Sequence, residues 1–92
     1  MLQDDLATRR KRLNHRSRYR GFLEADLVFG HFADRHLAEL DGAELDRYET
    51  LLDEDDQDLW AWVTRQRPVP ARHDHELMRQ LQELAYMRRS QS

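Results

Sequence analysis

Arg20-Gly21-Phe22-Leu23-Glu24-Ala25-Asp26-Leu27-Val28-Phe29-Gly30-His31-Phe32-Ala33 is the stretch on which the fold turns. Stepped at about 100° per residue, it has two faces. Phe22, Ala25, Phe29 and Phe32 recur at spacings of three and four and form one apolar stripe. Each phenylalanine contributes roughly 1.5–3 kcal/mol when fully buried, enough to anchor a small core. Arg20, Glu24 and His31 fall on the opposite face. Leu23 and Leu27 sit on or beside it, where a simple surface helix would carry charge. The second face therefore mixes charge with apolar surface and reads as a binding face. Its plain alternative is a surface ion pair between Arg20 and Glu24, with Arg first, the weaker orientation. Gly21 does not suit the interior of a helix, where glycine costs roughly 1 kcal/mol against alanine. It fits if the helix begins here, or if something approaches the backbone closely.

The rest of the chain extends this helix into an all-α domain of about five helices. A first helix over residues 4–16 has a thin stripe of Leu2, Leu6 and Leu13, with Asp4 and Asp5 suited to its N-terminus. Residues 14–19 read as a connection, and the second helix runs from Arg20 to Leu37 or Leu40. Asp41 and Glu44 form a capping-box pattern, and Leu40 with Leu45 fit a hydrophobic staple around it. The third helix then buries Leu45, Tyr48, Leu51 and Leu52. Residues 53–56 break it, and Asp55 or Asp56 caps a short fourth helix. There Leu59, Trp60 and Val63 point inward and Trp62 is partly exposed. Pro68 and Pro70 make residues 65–70 a connector. Asp74 caps a fifth helix over about residues 75–87, with Leu77, Met78, Leu81, Leu84 and Ala85 apolar and the residues from Arg88 fraying. One domain over residues 1–92 is expected, with an ordered core at about 4–87.

Composition narrows the function. The 92 residues include no cysteine, which removes disulfides and thiolate chemistry and fits a reducing cytoplasm. No apolar run approaches the roughly 20 residues of a membrane span. The N-terminus resembles neither a signal peptide nor a mitochondrial presequence. The net charge of −3 hides a segregation. Residues 9–20 carry Arg9, Arg10, Lys11, Arg12, Arg16, Arg18 and Arg20 without an acid, whereas residues 41–58 carry nine acids against Arg47. Such asymmetry fits a polyanion partner, mutual attraction of the two segments, or two sides of a protein partner. His73 and His75 are two apart and share no helix face, so they make a poor metal site. No nucleophile pattern or glycine-rich phosphate loop is present. The aromatic set of Phe22, Phe29, Phe32, Tyr48, Trp60 and Trp62 reads as core rather than as a flavin or base platform.

Two motifs together carry a family resemblance. Arg20-Gly21-x-x-Glu24, followed by Asp26, Leu27 and a phenylalanine-rich helix, resembles the RGxxE motif of the SdhE family, the small FAD assembly (flavinylation) factors of succinate dehydrogenase. Leu51-Leu52-Asp53-Glu54-Asp55-Asp56-Gln57-Asp58-Leu59-Trp60-Ala61-Trp62 resembles that family's pattern of two leucines, an acidic turn, Asp-Leu-aromatic and tryptophan. Gln57 stands where the family often has proline, which is favoured at a first helical position but not required. The resemblance implies a five-helix assembly chaperone and not an enzyme. Its partner is the flavoprotein subunit of succinate dehydrogenase, and also the related fumarate reductase subunit. It binds no cofactor stably and promotes covalent attachment of FAD to a histidine of the partner, whose own active site makes the bond. By position, Arg20, Gly21 and Glu24 become the contact motif, with Asp26 after it. Leu23, Leu27 and His31 complete the expected partner face, and Asp55, Asp56 and Trp60 match the second motif in a structural or partner-binding role. A monomer without nucleic-acid or membrane binding is expected. The alternatives are a general helical adaptor and a weak nucleic-acid binder using the basic segment from Arg9 to Arg20.

Overall fold

The computed structural model describes residues 5–90; Leu2 and Asp4 lie outside them. Five α-helices follow one another: α1 (Leu6–Ser17), α2 (Leu23–His36), α3 (Gly42–Leu52), α4 (Asp56–Val63) and α5 (Glu76–Ser90). Short 3-10 turns at Leu37–Glu39 and Ala71–His73 follow α2 and precede α5. No strand occurs among the described residues. Helix α2 packs against both α1 and α5, α3 lies on α1, and α4 lies on α5.

Several local signals act as read. Asp5, expected within the first turn of the first helix, does serve its N-terminus but from just outside it, capping α1 by accepting from Thr8 N at 2.7 Å. The capping box closes on both sides: Glu44 N donates to Asp41 Oδ1 at 2.8 Å and Asp41 N donates to Glu44 Oε1 at 2.9 Å. Leu40 and Leu45 are both buried beside it, as a hydrophobic staple requires. Asp55 caps α4 through Gln57 N and Asp58 N. The core gathers Leu13, Phe29, Phe32, Leu45, Tyr48 and Leu81, among others. Phe32 stacks on Tyr48 with ring centroids 5.0 Å apart. The Tyr48 hydroxyl lies 2.6 Å from Ser17 Oγ, which donates to Leu13 O at 2.7 Å, so this buried polar pair is satisfied. Burial pushes the Tyr48 phenol far above its ordinary value and keeps it neutral, outweighing the opposite pull of the Ser17 hydrogen bond and the nearby arginines.

Tertiary context shifts the helix boundaries and one face. Helix α1 continues through Ser17, because Ser17 has a buried partner in Tyr48. Helix α2 starts at Leu23 rather than Arg20, since Gly21 has φ +106° and Phe22 is extended at its N-cap. Trp62, expected to be partly exposed, is buried, and Trp60 is only half-buried. The residues after Pro70 fold back over Trp62, with His73 5.4 Å from its ring and the Arg72 guanidinium 5.7 Å above it. A helical wheel of α4 alone contains no trace of that cover. The α5 cap is His75, whose Nδ1 accepts from Met78 N at 3.4 Å, while Asp74 pairs with Arg79 at 3.3 Å. Helix α5 runs on to Ser90 rather than ending near Met87.

The charge segregation is resolved inside the chain. Arg9 of α1 meets Asp46 at 2.8 Å and Glu49 at 3.1 Å on α3. Arg16 reaches Asp53 at 2.8 Å and Leu52 O at 3.1 Å, and Arg10 donates to Leu40 O at 2.6 Å. Exposed pairs of this kind contribute about 0–1 kcal/mol each, so their main effect is to set how α1 lies on α3. Much of the basic segment is thereby committed to the acidic one.

Candidate partner-binding face

The residues singled out in the sequence separate into a buried clasp and an exposed stripe. Arg20 belongs to the clasp, with its side chain 8% exposed. Its Nη2 lies 2.7 Å from Asp56 Oδ1, and its Nη1 donates to Leu52 O at 2.9 Å. Nη2 also reaches Glu54 O at 3.4 Å, and the guanidinium carbon stands 5.9 Å from the Phe29 ring centroid. The planar fork of arginine can serve these acceptors at once, whereas a lysine ammonium has one point of charge to offer. The carbonyls lie at the C-terminal end of α3, where a cation is also favoured by the helix dipole. Arg20 therefore does not share the polar face of α2 with Glu24 and His31. It precedes the helix and turns inward onto the acidic turn of the second motif.

Gly21 explains why the turn is possible. Its φ of +106° is rarely adopted by residues with a side chain, and a Cβ placed there would lie 2.8 Å from Asp56 Oδ2. The close approach anticipated at this glycine is thus made by the chain's own carboxylate. Asp26 accepts a short hydrogen bond from Arg20 N, so it ties the RGxxE loop to the first turn of α2. Asp55 caps α4, Asp56 holds Arg20, and Trp60 meets Phe22 edge to face at 5.4 Å. The two motifs, far apart in sequence, form one structural unit.

The exposed stripe is different in character. Leu23 is 71% exposed and Leu27 41% exposed. With His31 they follow one another at intervals of four on α2, and Glu24 lies beside them. Glu24 and His31 are both exposed, and neither makes an ion pair or side-chain hydrogen bond among the described residues. Tyr19, also 71% exposed, stacks on His15 at 4.7 Å just before the loop. Two leucines are thus held open on a helix whose opposite face is buried in the core, which makes an exposed apolar strip.

A third group lies behind the acidic turn and was not legible in the sequence. Glu54, read only as part of a helix break, accepts from Arg72 Nε at 3.0 Å and lies 2.6 Å from Nε2 of the fully buried His73. The hydrogen bond with His73, ahead of those from Arg72, holds the Glu54 carboxyl below its ordinary value of 4.5. Burial, with the nearby His73 next in effect, holds His75 below its ordinary value of 6.5. Both shifts have the same consequence for folding. The neutral His75 and the ionised Glu54 are favoured in the folded chain, so the unfolded chain binds more protons in each window. The contribution of His75 is complete above pH 6.5 and declines as pH falls below it; that of Glu54 declines below about 4.5. Thermal melts between pH 7.5 and 4 are expected to show stability falling steadily, and His75→Gln is expected to flatten the upper part of that decline.

No group of three or more metal-ligating side chains is gathered among the described residues. Of the six aromatics weighed as a flavin or base platform, Phe29, Phe32, Tyr48 and Trp62 are in the core and Phe22 packs on Trp60. No helix among the described residues is long and apolar enough to cross a membrane. The geometry defines an all-α domain with a clasped loop ahead of an exposed apolar strip.

Comparison with known proteins then gives the family. The sequence model of the family described as "Flavinator of succinate dehydrogenase" matches residues 11–85. A succinate dehydrogenase assembly factor 2, mitochondrial, from Meyerozyma guilliermondii is 43% identical over 79 residues, covering 82% of this chain and 58% of the relative. The protein of the same name from Candida glabrata is 39% identical over 88 residues, covering 91% and 58%. A Drosophila persimilis relative, named as assembly factor 2-B, is 37% identical over 82 residues, covering 87% and 52%. The chain belongs to the family of succinate dehydrogenase flavinators, also named assembly factors. It spans a little over half the length of these curated relatives.

Proposed function

We propose that the chain binds the flavoprotein subunit of succinate dehydrogenase through Leu23, Glu24, Leu27 and His31 and promotes covalent attachment of FAD to a histidine of that subunit. The observation that carries this reading is the exposed pair Leu23 and Leu27 (71% and 41%) flanking an unpaired Glu24. Buried apolar contact would supply affinity, and a carboxylate desolvated between two proteins would supply specificity. The family membership supports the choice of partner. The related fumarate reductase flavoprotein is a second partner under the same reading.

The mechanism is a shift of population. A factor accelerates a reaction in its partner only if it binds the reaction-competent arrangement more tightly than the others. The clasp holds the loop ahead of the strip in one conformation, so little ordering remains to be done on binding. FAD stays with the partner, whose own active site forms the bond; the chain acts as a monomer and holds no cofactor stably. The cysteine-free sequence favours a reducing compartment, the cytoplasm in this reading, although the relatives carry "mitochondrial" in their names. The commitment of Arg9, Arg10 and Arg16 to α3 and its flanks weighs against nucleic-acid binding.

Co-expression of the flavoprotein subunit with and without the chain tests the reading. In-gel flavin fluorescence of the denatured subunit is expected to appear with the chain and to be faint without it. Equal fluorescence in both would leave a helical adaptor with some other partner.

A further inference from the structure

A shallow groove of about 120 Å³ runs between α2 and α5, lined by His31, Arg35, Leu84, Met87 and Arg88. It joins the docking strip directly, because His31 is the last residue of the Leu23, Leu27, His31 line. His31 and Arg35 are one turn apart on α2, and Leu84, Met87 and Arg88 occupy matching positions on α5. Leu84 packs against the core, whereas Met87 is 50% exposed. Neither Arg35 nor Arg88 makes an ion pair among the described residues, and the acid next to Arg35, Asp34, is held by Arg18. Glu83 stands further along, on a second depression that shares Arg35, Leu84 and Met87. Arginines late in a helix also complement its dipole. That accounts for their charge, but not for a thioether left open between them.

We infer that this groove receives an acidic segment of the flavoprotein partner that carries an aliphatic side chain next to a carboxylate. The inference rests on the proposed function and extends its contact surface from α2 across to α5. The aliphatic group would lie on Leu84 and Met87, where the flexible thioether adapts to its shape. The carboxylate would accept from the Arg35 and Arg88 guanidiniums, which form short charge-assisted bonds with such groups. The groove has room for one side chain, so it is an anchor point within a larger interface.

The test is calorimetric titration of the purified flavoprotein subunit with the wild-type chain, the charge-reversed R35E/R88E chain and the neutral R35Q/R88Q chain, at several salt concentrations. Both positions are exposed, so R35Q/R88Q is expected to melt close to wild type and R35E/R88E, with acids at two helix C-termini, a few degrees lower but still folded. R35E/R88E is expected to raise Kd at least tenfold and to flatten its dependence on salt, with R35Q/R88Q intermediate. Wild-type affinity and salt dependence in both variants would overturn the groove alone and leave the strip on α2 standing. No binding by the wild-type chain would overturn the proposed function and the groove with it.

Discussion

Gly21→Ala is expected to lower the melting temperature by roughly 10–20 °C, on the scale of about 4–8 °C per kcal/mol for a domain of this size. Two costs combine. A side chain at φ +106° sits in a region that costs on the order of 1–3 kcal/mol for a non-glycine residue. The new methyl would also be 2.8 Å from Asp56 Oδ2, so the carboxylate must move away from Arg20 or the loop must shift. Thermal denaturation followed by circular dichroism measures the sum. A melting temperature within a few degrees of wild type would mean that the loop relaxes freely and that no clasp constrains it.

Arg20→Ala is expected to destabilise the chain by about 2–4 kcal/mol. Removing one member of a buried pair costs about 3–5 kcal/mol when the other is stranded. Here Asp56 keeps 38% exposure of its side chain and can turn to water, which reduces the cost. The carbonyls of Leu52 and Glu54 lose their donor as well. Arg20→Lys is expected to recover less than half, since one ammonium cannot span the same acceptors. Because Gly21→Ala and Arg20→Ala both act through Asp56, the double variant should cost less than the two singles added together. Urea denaturation of the four chains closes that cycle, and strict additivity would separate the glycine from the clasp.

What was legible in the sequence was local. The Asp41 and Glu44 box, the staple of Leu40 and Leu45, and the Ala25, Phe29 and Phe32 stripe depend on spacings of three to five residues, and each forms. The inward turn of Arg20 was not legible, because it depends on a positive φ at Gly21 and on Asp56 arriving from another helix. The same limit hid the burial of Trp62, whose cover comes from His73 and Arg72 beyond two prolines, while Trp60 packs on the core as expected but only half-buried. The charge blocks left three readings open, and the contacts of Arg9 and Arg16 with α3 and the acid just after it favour mutual attraction. Of the residues grouped as one partner face, the structure keeps Leu23, Glu24, Leu27 and His31 open and turns Arg20, Gly21 and Asp26 into their support.

That division makes the decisive measurement a paired one on Glu24→Ala. The variant is expected to melt within a few degrees of wild type, because Glu24 is exposed and makes no ion pair or side-chain hydrogen bond among the described residues, so that only its favourable place in the first turn of α2 is lost. Co-expressed with the flavoprotein subunit, it is expected to leave the denatured subunit without the covalent flavin fluorescence that the wild-type chain produces. Full fluorescence with Glu24→Ala would contradict the docking strip on α2, whatever the stability of the variant.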